Sequence, residues 1–251
     1  MPHRLELAML SVQRDNAMIG QVYDMLNMVW KTYHFSPKSM RELKALGEDL
    51  GVNVLVPSGV RGTRWLPHVS RALETLLRPG KDNHGQFTAV YCHMDHLAGS
   101  SANADIAGRA RKIKKTMGDG TFVAFCHFLA DVFSGLTKFS LLQKNEIILP
   151  QAVCGLQNLL ATTEVMEARP KPGGRLSQLQ DALRQQKRQQ EEQGEIPNYK
   201  FQTVTLKGDF SNLAEAEASR KRAPKLQNAI EATVRSTVKH LKARFCSLLG
   251  K

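Results

Sequence analysis

The run "TFVAFCHFLADVFSGLTKFSLL", Thr121 to Leu142, constrains the fold of this chain more than any other stretch. It has the length and apolarity of a membrane span, but His127, Asp131 and Lys138 lie inside it, and hydrocarbon tolerates such groups poorly. A helix buried in a protein core meets both demands, so the run predicts a buried helix of a folded domain. Asp131 is its oddest member. A buried carboxylate paired with a nearby base, or capped by a hydroxyl, accounts for it without catalysis.

The rest of the chain keeps the same period. Ile19, Val22, Tyr23, Leu26, Val29, Trp30 and Tyr33 share one helix face. "SPKSMRELKAL" supplies Ser36 as N-cap and Pro37 at the first helical position, with Gly47 and Gly51 as stops. Helical runs follow at about 84–98, 102–117 and 121–144, and Pro150 opens another that carries Val153, Leu156, Leu159 and Leu160. A final run at about 211–249 places Leu226, Ile230, Val234, Val238, Leu241, Phe245 and Leu248 on one face, with Pro224 as a kink or break. Strand signals are few: "VNVLVP" at 52–57 is short and β-branched, and "YKFQTVTL" at 199–206 alternates. The expectation is a mainly α, multi-helix domain with one or two short strands.

Residues 169–198 differ in kind. "RPKPGG" breaks the chain, and "DALRQQKRQQEEQGE" loses apolar residues after Leu183. Its first turns dock by Leu176, Leu179 and Leu183, and its end is expected to project into solvent.

Charge narrows the partners. Among 251 residues, 35 Lys and Arg outweigh 23 Asp and Glu, a net charge of +12 that favours polyanions. Cys92, Cys126, Cys154 and Cys246 are widely spaced in apolar helical patterns, which reads as reduced thiols rather than a disulfide framework. "MPHRLELAML" has no long apolar stretch behind its positive charge, so a signal peptide is not expected, and no membrane partner is.

Two basic stretches stand out. In "GVRGTRWLPHVSRALETLL", Pro67 opens a helix whose buried side is Leu66, Val69, Leu73, Leu76 and Leu77. Trp65 precedes the cap, and its hydrophobic-staple partner would be Ser70, a poor match. Arg61, Arg64 and Arg71 sit close by at a helix N-terminus, which itself attracts phosphate, and Trp beside Arg suits base stacking. A core tryptophan with surface arginines is the plainer alternative. In "RARKIKK", Arg109, Arg111, Lys112, Lys114 and Lys115 surround a buried edge of Ile106, Ala110, Ile113 and Met117, as a solvated face or a grip on phosphates. "ASRKRAPK", 218–225, resembles it and has the composition of a nuclear-import signal.

Cys92 and His96 have the i,i+4 spacing of metal ligands, with Cys126 and His127 as further candidates. No C-x-x-C or H-x-x-x-H pair exists, and adjacent Cys126 and His127 diverge on a helix. Core cysteines and partly buried histidines are expected instead, with no metal and no cofactor. Acidic residues are scattered rather than paired, so no set suited to a two-metal nuclease is evident.

Together, "PHRLELAML", "FSPKSMRELKAL", "VRGTRWLPHVSRALETLL" and "FVAFCHFLADVFSGLTKFSLLQK" resemble the hAT superfamily of DNA transposases, in its domesticated, zinc-finger-associated branch. The resemblance covers roughly 2–249. It implies an RNase H-like core interrupted by an all-helical insertion, and so a core edge at 1–65, an insertion-like domain at 66–168, a polar linker at 169–198, and a connector with a long helix at 199–251. His3 matches the histidine of the family's C-x-x-H motif, and Arg64-Trp65 matches its Arg-Trp motif near the active site. The motif's cysteine and two catalytic aspartates would precede Met1, and the last glutamate region with its dimerisation segment finds no match before Lys251. The expectation is a catalytically inactive, transposase-derived domain that is nuclear and binds DNA or chromatin partners through a basic surface. The alternatives are a protein-interaction scaffold without nucleic acid and a cytoplasmic location.

Overall fold

The computed structural model describes residues 2–60, 65–142, 149–208, 210, 213 and 224–249. Among them the architecture is mainly α, with ten helices and one two-stranded sheet. Helices α1 (Pro2–Asp15), α2 (Ala17–His34) and α3 (Pro37–Asp49) are followed by α4 (Trp65–Leu76), α5 (Gln86–Ser100), α6 (Ala104–Met117) and α7 (Gly120–Leu142). Then come α8 (Leu149–Ala168), α9 (Arg175–Glu192), the strands β1 (Lys200–Phe201) and β2 (Val204–Thr205), and α10 (Pro224–Arg244).

The apolar run is the hub. Helix α7 is long and apolar enough to cross a membrane by length and composition, yet it is buried along most of its length. It packs against α4, α6, α8, α9 and α10. Phe125, Phe128, Phe133 and Phe139 are fully buried, and each contributes about 1.5–3 kcal/mol over an exposed ring. Phe139 meets Phe245 edge-on at 5.6 Å, which ties α7 to the end of the chain. One hydrophobic cluster runs from Leu5 to Leu248 and takes side chains from all four segments expected from the sequence.

Caps set the helix starts. The Ser36 hydroxyl accepts from the Ser39 N–H, and Asn103 accepts from Asp105 and Ile106, each satisfying donors that the first helical turn leaves open. Asn16 caps α2 and also donates to Thr233 Oγ1 at 2.6 Å, joining α2 to α10. Leu176, Leu179 and Leu183 dock α9 in the core. Pro224 opens α10 rather than kinking a longer helix, because its missing N–H costs nothing at the first position. Residues 214–223 of that run lie outside the described residues.

Four expectations are corrected. "VNVLVP" forms no strand, because no second strand lies beside it among the described residues. Val52 N–H donates to Gly47 O at 2.7 Å, and the Gln86 side-chain amide serves Leu55 twice, accepting from its N–H and donating to its carbonyl at 2.9 Å each. Helix α4 starts at Trp65 instead of after it, with Pro67 still in the first turn, where no donor is needed. The end of α9 is not a free projection: Gln186 pairs with both backbone groups of Lys200 at 2.8 Å. Among the described residues Asp131 makes its hydrogen bonds to backbone rather than to a basic or hydroxyl side chain, although the charges of Lys171 and Arg175 act on it. It accepts the N–H groups of Arg175 at 2.8 Å and Leu176 at 3.0 Å, capping α9 from the middle of α7.

Candidate functional site

Helix α6 positions the basic run by burying its other face. Ala107, Ala110, Ile113 and Met117 face the core, so the charged residues between them turn outward. Ala107 takes the inner place expected of Ile106, which is half-buried. Asp105 in the first turn and Lys114 and Lys115 in the last match the helix dipole.

At the α6–α7 corner the chain after β2 returns. Gly120 N–H donates to Lys207 O, and Lys207 N–H donates to Gly118 O, both at 2.8 Å. This pairing lays Lys207 beside α6, where the start of α10 adds Lys225. The result is an open cleft of about 840 Å³. Its rim carries Arg111, Lys112, Lys114, Lys115, Lys207 and Lys225, with Asp24 and Asp119 as the lining carboxylates among the described residues. Its floor is apolar: Met18, Met25 and Met28 from α2, Tyr91 from α5 and Phe122 from α7.

The cations are not equivalent. Lys114 bonds Asp95, and that hydrogen bond holds its ammonium pKa above the usual lysine range. Its Nζ also lies 5.9 Å from the centre of the Tyr91 ring, within cation–π range. Lys225 lies 3.8 Å from Asp119, whose other oxygen caps α7 by accepting from Thr121 and Phe122. Among the described residues, Arg111, Lys112, Lys115 and Lys207 have no ion-pair partner. Four unpaired cations around an apolar concavity make a strongly positive field, because the low-dielectric walls focus it.

The structure thus gathers Arg111, Lys112, Lys114 and Lys115 into one site and leaves other candidates elsewhere. Arg109 is half-buried on α6 and does not line the cleft. Arg71 is exposed on α4, and His3 is exposed on α1. Arg61, Arg64 and the side chain of Trp65 lie outside the described residues. The α4 N-terminus is already engaged: Leu66 N–H donates to Glu6 Oε2 at 3.0 Å, so a phosphate arriving there would meet a carboxylate. Sequence reasoning missed Lys207, Lys225 as a cleft residue, and the floor. The spacing of Met18, Met25 and Met28, seven and three residues apart, was the available signal for a second apolar face on α2.

Two other polar clusters are structural in geometry. Among the described residues, no three His, Cys, Asp or Glu side chains gather to hold a metal. Cys126 and His127 are both buried in α7, and His127 Nδ1 lies 2.8 Å from the Val123 carbonyl. Tyr33 Oη lies 3.1 Å from His93 Nδ1, and His93 Nε2 lies 3.3 Å from Glu42 Oε2, which links α2, α5 and α3. Burial raises the Tyr33 pKa and lowers that of His93 despite Glu42, so a neutral imidazole accepts from the tyrosine and donates to the carboxylate. Neither Tyr33 nor His93 lines the cleft.

Compared with known proteins, the chain matches no family model and no solved structure.

Proposed function

We propose that this chain binds nucleic acid through the α6 cleft, as a catalytically inactive domain derived from a hAT-type transposase and acting in the nucleus. The observation that carries the binding role is the convergence of six cationic side chains on one cleft, four of them unpaired among the described residues. Arrays of lysine and arginine that lack internal carboxylate partners release counterions when they meet phosphates, which drives binding. The transposase origin rests on the sequence motifs around Trp65 and α7.

Binding to duplex DNA, measured by fluorescence anisotropy at several salt concentrations, tests the role. Four free cations predict a slope of log affinity against log salt of about −3 to −4. Reversing Lys112 and Lys115 to glutamate should flatten that slope by about two units. A flat salt dependence, or equal affinity in the double variant, would remove the cleft from DNA binding. A protein-scaffold role draws on a different surface: Phe35, at 71% exposure, and Val56, at 62%, are apolar and open. Absence of any DNA shift at low salt would favour that role.

A further inference from the structure

We infer that the cleft holds a single unpaired nucleotide, its base on the methionine and aromatic floor and its phosphate on the cationic rim. The inference rests on the polyanion-binding role and names the unit that the cleft takes. A duplex offers its phosphates on the outside and keeps its bases stacked, so a site for duplex alone gains nothing from an apolar floor. Here the apolar lining is buried while the cations are more exposed: Met18, Met25 and Phe122 are buried, and the partly buried Met28 and Tyr91 line the same cleft. A cavity of about 840 Å³ is in the range of small-ligand pockets and too small to admit a double helix.

The floor chemistry suits a flat, polarisable ring. Thioethers adapt their shape to an aromatic edge, and Tyr91 already presents its ring toward the Lys114 ammonium. A base stacked there would sit between the tyrosine and the phosphate-binding lysines, the arrangement by which single strands are held. Gln21 and Asp24 project from α2 into the same cleft. Asp24 has no ion-pair partner among the described residues, and a lone carboxylate only weakens a site built for phosphate. It is useful to a base that carries an exocyclic amine, because it accepts that N–H. A free nucleotide and a nucleotide within a strand share this chemistry.

Gly118 gives a clean way to close the cleft. It lines the cavity in right-handed helical geometry (φ −81, ψ −6), so a side chain is allowed there. A Cβ would meet the Lys114 carbonyl at 3.5 Å and Tyr91 Cε2 at 4.0 Å, ordinary contacts that aim it at the floor. The full chain and its Gly118→Phe variant are titrated with four labelled probes: a deoxycytidine strand of about 12 nucleotides, an abasic strand of the same length, a duplex, and a fluorescent adenosine triphosphate.

Expected is about tenfold tighter binding of the cytidine strand than the abasic strand by the wild type, lost in Gly118→Phe while duplex binding stays within about twofold. If the triphosphate also binds and is lost in the variant, free nucleotide is a source. If only the strand binds, the unit belongs to single-stranded nucleic acid. Should Gly118→Phe fold poorly by circular dichroism, Asp24→Ala replaces it, with the expectation that preference for a cytidine over a thymidine strand disappears. Equal binding of cytidine and abasic strands, or equal loss on every probe, overturns the base site and leaves phosphate binding standing. Failure of the wild type to bind any probe at low salt overturns the polyanion role itself.

Discussion

Two carboxylates, one within α7 and one capping its start, twelve residues apart in sequence, show opposite uses of charge. Asp131 is buried mid-helix and spends both oxygens on the backbone donors of α9. Gly174 lets the two elements touch: a Cβ there would lie 2.7 Å from Asp131 Oδ2. Asp119, at the helix start, is partly exposed, caps its own helix and lies at ion-pairing distance from Lys225. Around it Arg111, Lys112, Lys115 and Lys207 remain unpaired among the described residues. Inside the core burial pushes the Asp131 pKa up, and the N–H groups of Leu176 and Arg175 oppose that shift by stabilising the carboxylate. At the corner, water solvates the surplus charge, and it can be kept for a ligand.

This contrast can be broken most strongly at Asp131. Asp131→Ala removes a cap and leaves two buried N–H groups without an acceptor, so stability should fall by about 2–4 kcal/mol in urea titration. A loss under about 1 kcal/mol would mean that the cap does not hold α9. Gly174→Ala should cost somewhat less, about 1–3 kcal/mol, as the methyl forces the carboxylate away from its donors. Its partner test is the double variant with Asp131→Ala, where the two losses should not add.

Acid should act next, through the buried histidines. Burial lowers the His93 pKa from 6.5 and brings that of His127 to about 4. A lowered folded-state value means that the unfolded chain takes up protons first. Stability is therefore full above pH 6.5 and is lost as pH falls from there, for His127 until about pH 4. His127 should contribute a loss of roughly 1 kcal/mol per pH unit, read as a drop in urea midpoint between about pH 7 and pH 5.5, and His93 acts in the same direction. An unchanged midpoint across that interval would place water at one of these rings.

The smallest stability effect belongs to the cleft. Lys112→Glu with Lys115→Glu should change the urea midpoint by no more than about 0.5 kcal/mol, because neither side chain has an ion-pair partner among the described residues. If that variant lost as much as Asp131→Ala, the rim would be part of the folding machinery and the contrast along α7 would fail.

Much of the fold was legible because helix signals are local. Ser36 as a cap, the leucines of α9 and the apolar length of α7 each depend on neighbours within a few turns. The candidate site was half legible for the same reason. "RARKIKK" announced four of the six rim cations, but it also offered Arg109, which the helix rotates away from the cleft. The promise of a phosphate site beside Pro67 changes too, because Glu6, sixty residues earlier, reaches the α4 N-terminus first.

The sequence by itself determined that the chain would be mainly helical, that Thr121–Leu142 would be a buried helix and that its surface would be basic, since periodicity, apolar content and net charge are properties of the chain alone. Only the tertiary structure decided which charges meet. Lys207 reaches α6 through a backbone pairing across nearly ninety residues, and Asp131 finds its donors at the start of a helix 44 residues away. "VNVLVP" forms no strand because none of the described residues brings a second strand beside it. Partners at that range are set by how helices pack, and no local pattern carries that information.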